Sequence, residues 1–140
     1  MNVRSREPSP DRPRVLVADD HRAMLESLIG LLSKEYDVVA ALLDGDSVLS
    51  AATRHVPDVL VLDIAMPGMS GLAAAALLKK RGSTAKVVFV TMHDDPEYIQ
   101  ESLALGAVGF VVKNRLVSDL VPAIREVLAG HSFVSPSAER

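Results

Sequence analysis

Five short, Val-rich apolar runs, each followed by a stretch of helical period, leave this chain few folds to choose from. The runs occupy residues 15–18, 36–42, 59–62, 87–90 and 108–112. They are near-continuous rather than alternating, as strands covered on both faces must be. The stretches between them repeat at helical spacing. Met24, Leu25, Leu28 and Leu32 form one stripe, broadened by Ile29 and Leu31. Val48, Leu49, Ala52 and Val56 form a second, and Leu72, Ala75 and Ala76 a third. Tyr98, Ile99 and Leu103 form a fourth, opened by Asp95 as N-cap and Pro96 at the first helical position. Leu120, Val121, Ile124, Val127 and Leu128 form a fifth, closed by Gly130, with Pro122 expected in the first turn. Strict β-α alternation with short connections implies an α/β fold: a doubly wound, five-stranded parallel sheet with helices on both faces.

Composition narrows the function. The 140 residues suit one domain with a sizeable core. Lys and Arg total 15 against 18 Asp and Glu, a net charge of −3, which is not the balance of a freestanding nucleic-acid binder. The absence of cysteine excludes disulfides, thiolate metal sites and thiol catalysis, and fits a reducing compartment. No apolar run approaches the ~18 residues of a membrane span. Residues 1–13 are polar and Pro-rich and read as a flexible leader rather than a secretory signal. Residues 14–130 form the domain, and 131–140 read as the start of a linker.

In open parallel sheets, function gathers at the carboxyl ends of the strands. Here the first polar residues after the apolar runs are Asp19 and Asp20, Asp63, Thr91 and Lys113, on strands one, three, four and five. Carboxylates brought together repel one another, and a hard divalent cation relieves this. Oxygen ligands without His or Cys suit Mg²⁺. A lysine and a hydroxyl beside such an ion suit a phosphoryl group. An Asp carboxylate can itself be the nucleophile, giving an aspartyl phosphate. No His or Glu at these strand ends offers a strong general base, so turnover should be slow, which favours a switch over a fast enzyme.

These residues resemble the receiver domain of bacterial two-component response regulators, over about residues 14–130. The resemblance is carried by VLVADDH at 15–21, DVLVLDIAMPGMSG at 58–71 and GAVGFVVK at 106–113, in order. It implies the flavodoxin-like (βα)5 receiver fold. It also implies that Asp63 is the phosphoacceptor and that Asp20, Asp19, Asp63 and the backbone carbonyl of Ala65 serve Mg²⁺, Asp19 mostly through water. Lys113 and Thr91 would stabilise the phosphoryl group, with Thr91 and Phe110 as switch residues. Phe110 stands where the family often has Tyr, so its part would rest on packing. Asn114 follows Lys113 where many members have a cis proline, and a non-proline cis peptide costs about 3 kcal/mol. ADDHRAMLESL and VLAGHSFVSPSAER resemble the NarL/FixJ subfamily, whose members carry a LuxR-type helix-turn-helix. The implied partner is a sensor histidine kinase, the output transcriptional, the location cytoplasmic. The implied output is either a phosphorylation-dependent homodimer or release of an attached DNA-binding domain, with DNA contact only through a C-terminal domain absent from this chain.

Plainer readings stand beside these. Asp63 could cap a turn, Thr91 could be only a strand residue, and Phe110 could be only core. Gly68 and Gly71 would shape the Met66-Pro67-Gly68 turn. His21 and His93 fall near the strand-end edge and read as surface histidines, although His93 could tune dephosphorylation. Lys79, Lys80 and Arg81 complement a helix dipole. A freestanding receiver is an alternative to a regulator fragment. A phosphorylation-independent pseudo-receiver would have lost part of the acidic–lysine set. A phosphatase of the haloacid-dehalogenase type needs a second Asp two residues after the first, where Ala65 stands.

Overall fold

The computed structural model describes residues 12–92, 96–106 and 108–136. Asp95 and His93 lie outside the described residues. The elements are β1 (Arg14–Ala18), α1 (Arg22–Leu32), β2 (Asp37–Leu42), α2 (Gly45–His55), β3 (Val59–Asp63) and α3 (Gly71–Lys80). They continue with β4 (Lys86–Thr91), α4 (Pro96–Leu103), β5 (Val108–Val112), α5 (Leu116–Leu128) and β6 (Phe133–Val134). The sheet is parallel, in the order β2-β1-β3-β4-β5-β6. It has six strands where five were expected: Phe133 and Val134 pair with Gly109 and Phe110 inside the segment read as a linker. The leader expected at 1–13 is also attached at its end, where the carbonyl of Pro13 accepts the N–H of Asp37 at 3.0 Å.

The valines bury both faces of the sheet. Val15, Val17, Val59, Val61, Val88, Val90 and Val111 pack beneath α1 and α5. Leu16, Leu60, Leu62, Phe89, Phe110 and Val112 pack beneath α2, α3 and α4. Connections after β1 and β3 therefore leave for opposite faces, and the crevice between these strands is where ligands bind in doubly wound sheets.

The helices follow their sequence signals with informative exceptions. Asp44 caps α2 by accepting the Ser47 N–H at 2.8 Å, and Ser70 caps α3 through the Ala73 N–H at 3.1 Å. Gly130 closes α5 as expected. At φ +88°, its N–H reaches the Val127 carbonyl, and that of His131 reaches the Glu126 carbonyl, the two bonds of a Schellman motif. Pro122 lies in the helix interior rather than its first turn. Ser118, whose carbonyl would have taken its missing N–H, is exposed, so water can serve instead. In α3 the buried face is Ala74, Ala75 and Leu78, with Ala76 exposed. Tyr98 and Leu103 of α4 are partly exposed, and Val56 leaves its stripe to end α2 in the left-handed region at φ 45°, 72 % exposed.

Candidate functional site

Strand register assembles the site. Ala18 pairs with Leu62, so Asp19 and Asp63 emerge side by side; Asp63 pairs with Val90, and Thr91 pairs with Val112, the residue before Lys113. The loop after β3 is held close. The N–H of Gly71 donates to the Ile64 carbonyl at 2.9 Å, and a Cβ at Gly71 would lie 2.2 Å from the Asp63 carbonyl oxygen. Gly71 thus serves helix approach to β3, not the turn itself. Gly68, at φ +77°, is the turn residue.

The charged groups lie within contact distance. Lys113 Nζ donates to Asp63 Oδ2 at 3.2 Å and lies 2.9 Å from Asp19 Oδ2. Asp63 Oδ1 accepts the Ala65 N–H at 3.2 Å, and Asp19 Oδ1 accepts the His21 N–H at 2.9 Å. Asp19 is 0 % and Asp63 4 % exposed. Burial and then the charge of Asp19 push the Asp63 carboxyl up to about 6, against the opposing pull of Lys113. Burial disfavours the Lys113 ammonium, but its close contacts with the carboxylates of Asp19 and Asp63 outweigh that and hold it above the ordinary lysine range. A single cation is thus shared between two buried carboxylates, with Asp20 beside them.

That arrangement leaves negative charge for a second cation. Asp19 Oδ2 is buried without a hydrogen-bond partner; Lys113 is near enough for an ion pair but off-angle for a hydrogen bond. Ligand atoms of Asp19, Asp20, His21 and Asp63 all fall within 4.8 Å of one another. The all-oxygen set of Asp19, Asp20 and Asp63 fits Mg²⁺, which keeps several waters and takes few carboxylates. His21 was expected at the surface. It is exposed, yet its Nδ1 lies 3.1 Å from Asp20 Oδ1. Its place directly after the acidic pair was the available signal.

A family model described as the response regulator receiver domain matches residues 15–125. This chain belongs to that family.

Among curated relatives, the receiver domain is 34% identical over 132 residues to the Mycobacterium tuberculosis protein named "Probable transcriptional regulatory protein NarL", covering 93% of this chain and 61% of that one. It is 35% identical to the oxygen regulatory protein NreC of Staphylococcus haemolyticus, covering 86% of this chain and 57% of that one. The chain thus spans about three-fifths of the length of these relatives. Among solved structures, a two-component response regulator of the LuxR family from Aurantimonas superposes with a TM-score of 0.86 at 28% identity, covering 92% of this chain and 94% of that one. The signal receiver domain of a NarL response regulator from M. tuberculosis gives 0.81 at 33% identity, covering 87% and 100%. The chain is a signalling receiver domain of the NarL type.

The remaining expected residues lie around this centre. Thr91 ends β4 and is buried. Phe110 is fully buried, flanked in the sheet by Phe89 and Val134. Ala65 is exposed on the loop after β3. Asn114 lies in a 3-10 turn over Lys113–Arg115, and the described backbone holds no cis peptide. No helix among the described residues is long and apolar enough to cross a membrane.

Proposed function

We propose that this receiver accepts a phosphoryl group on Asp63 from the phosphohistidine of a sensor kinase. The observation that carries this is the placement of one buried carboxylate, Asp63, 3.2 Å from the Lys113 ammonium and beside the buried Asp19. A carboxylate oxygen of Asp63 attacks phosphorus, the P–N bond breaks, and its electron pair leaves on the imidazole nitrogen. Lys113 accompanies the phosphoryl oxygens as negative charge shifts onto them, and the Thr91 hydroxyl donates to one of them. Asp19, Asp20, Asp63 and the Ala65 carbonyl would hold Mg²⁺, which when bound neutralises charge on the phosphoryl oxygens and between the carboxylates.

The acyl phosphate is a signal rather than an intermediate of turnover. Phosphorylation shifts a pre-existing balance at the face of α4, β5 and α5, a bias typically worth about 1–3 kcal/mol. Engagement of Thr91 and the packing of Phe110 carry that shift. Exposed apolar side chains near this face, Met92, Tyr98, Leu103 and Val117, suit a homodimer contact. The output is transcriptional, through DNA bound by a further domain, and the setting cytoplasmic, by analogy with the named relatives.

Phosphoramidate, whose P–N bond matches that of phosphohistidine, tests the chemistry. With Mg²⁺ it should give a hydroxylamine-labile adduct, as an acyl phosphate must. A hydroxylamine-stable adduct would place the phosphoryl group elsewhere and refute the assignment.

A further inference from the structure

The proposed transfer needs an ammonium held on two carboxylates, yet Lys113 lies where β5 gives way to a 3-10 turn. Among the described residues, only the short segment 132–135 stands beyond β5, and it covers that edge along its length. Ser132 Oγ accepts the Val108 N–H at 3.3 Å, and Phe133 and Val134 pair with Gly109 and Phe110. The Ser135 N–H donates to the Phe110 carbonyl at 2.9 Å, and Ser135 Oγ accepts the Val112 N–H at 3.2 Å. The last of these bonds falls on the residue before Lys113.

A second set of bonds falls just after it. The Ser135 hydroxyl donates at 2.7 Å to Oδ2 of Asp119, a carboxylate of α5 only 4 % exposed. The same oxygen accepts Arg115 Nε at 2.8 Å, while Asp119 Oδ1 accepts Arg115 Nη2 at 3.3 Å and Ser118 Oγ at 2.9 Å. Val112 and Arg115, on either side of Lys113, are therefore both fastened to one buried carboxylate, one of them through Ser135. A buried carboxylate whose two oxygens are both bonded rigidifies what it joins.

We infer that Ser135 and Asp119 are positioning residues for Lys113: the C-terminal strand fixes the end of β5 and the following turn, so that the ammonium stays on Asp63 and Asp19. Neither residue touches the phosphoryl group. The inference rests on the reading that Lys113 serves phosphoryl transfer. A network that only stabilised α5 would change the melting temperature and leave the chemistry of the folded protein alone.

The test uses the full chain, at a temperature where circular dichroism shows each variant folded. Phosphorylation by phosphoramidate with Mg²⁺ is followed in wild type, Ser135→Ala, Ser135→Thr, Asp119→Asn, Lys113→Ala and the Lys113→Ala/Ser135→Ala double variant. Displacement of a reacting group by a fraction of an ångström costs on the order of tenfold in rate, so Ser135→Ala should lower the saturating rate by about that factor. Its half-saturating donor concentration should stay within about twofold, and Ser135→Thr, which keeps the hydroxyl, should restore the rate. In the Lys113→Ala background, Ser135→Ala should change nothing further. The ε-methylene NMR signal of Lys113 should move in Ser135→Ala and return in Ser135→Thr. A wild-type rate in folded Ser135→Ala, or an equal loss in the Lys113→Ala background, overturns the inference. A wild-type rate in Lys113→Ala instead overturns the reading beneath it. Should Ser135→Ala not fold, Asp119→Asn takes its place: a wild-type rate and unmoved Lys113 signal overturn the inference, and a slowed rate with a moved signal supports it.

Discussion

Replacing Asp63, the proposed phosphoacceptor, should make the metal-free protein more stable. Asp63 is buried beside Asp19 and shares Lys113 with it, and its carboxyl is raised from 3.8 to about 6. A raised acid binds its proton more tightly in the fold than in the unfolded chain. Stability therefore falls as pH rises from about 4 through about 6 and is level above that. Two pH units correspond to roughly 3 kcal/mol of penalty on the ionised form. Asn at position 63 removes the charge yet still accepts from Lys113, which keeps its partner Asp19. Asp63→Asn should thus gain about 1–3 kcal/mol at pH 7.5, or roughly 4–12 °C for a domain of this size. The assay is thermal unfolding in EDTA at pH 4.5, 6 and 7.5. The gap between variant and wild type should open between the first and last of these, because other titrations cancel in the difference. Mg²⁺ should raise wild type more than the variant; at a hundred times its Kd a ligand adds about 2.7 kcal/mol. A variant less stable than wild type at pH 7.5 in EDTA, or a gap unchanged with pH, would refute the reasoning.

Three further outcomes are expected. Val56→Gly relieves a β-branched residue at φ 45° without losing packing, since Val56 is 72 % exposed, and should stabilise by about 1 kcal/mol in denaturant unfolding. Gly71→Ala drives a Cβ to 2.2 Å from the Asp63 carbonyl, so it should destabilise by about 1–3 kcal/mol and slow phosphorylation; wild-type kinetics and stability would count against this packing account. Burial pushes the Asp119 carboxyl up, but bonds from Arg115, Ser135 and Ser118 outweigh it and hold the group below the ordinary range. Its stabilisation is full above the unfolded pKa and lost as pH falls through the folded one, so Asp119→Asn should cost about 2 kcal/mol at neutral pH and less in strong acid; a pH-independent cost would refute the charged network.

What could be read in the sequence follows from where the physics is local. Each strand is a Val-rich run that stops at a polar residue, so Asp19, Asp63, Thr91 and Lys113 were legible as strand ends, and parallel register did the rest. Helix faces were legible where bulky residues set a phase, as for Leu25, Leu28 and Leu32. They were not in α3, where four consecutive alanines carry no phase and the buried set shifted to Ala74, Ala75 and Leu78. A two-residue strand has no period to detect, so Phe133 and Val134 read as part of a polar tail. Asp119 carries no signal of its own in the sequence, because its partner Ser135 lies sixteen residues on and reaches it only in the fold. Val56 completed a helical stripe on paper, whereas the following Pro57 disfavours continued helix and the chain turns there.

Phosphorylation of Asp63 is read straight from the intact mass of the protein. Wild type and Asp63→Asn are incubated with phosphoramidate and Mg²⁺, beside an EDTA control. One added phosphoryl group is expected on wild type, dependent on Mg²⁺ and absent from the variant. No adduct on folded, Mg²⁺-binding wild type with rapid hydrolysis excluded, or an equal adduct on Asp63→Asn, would contradict it.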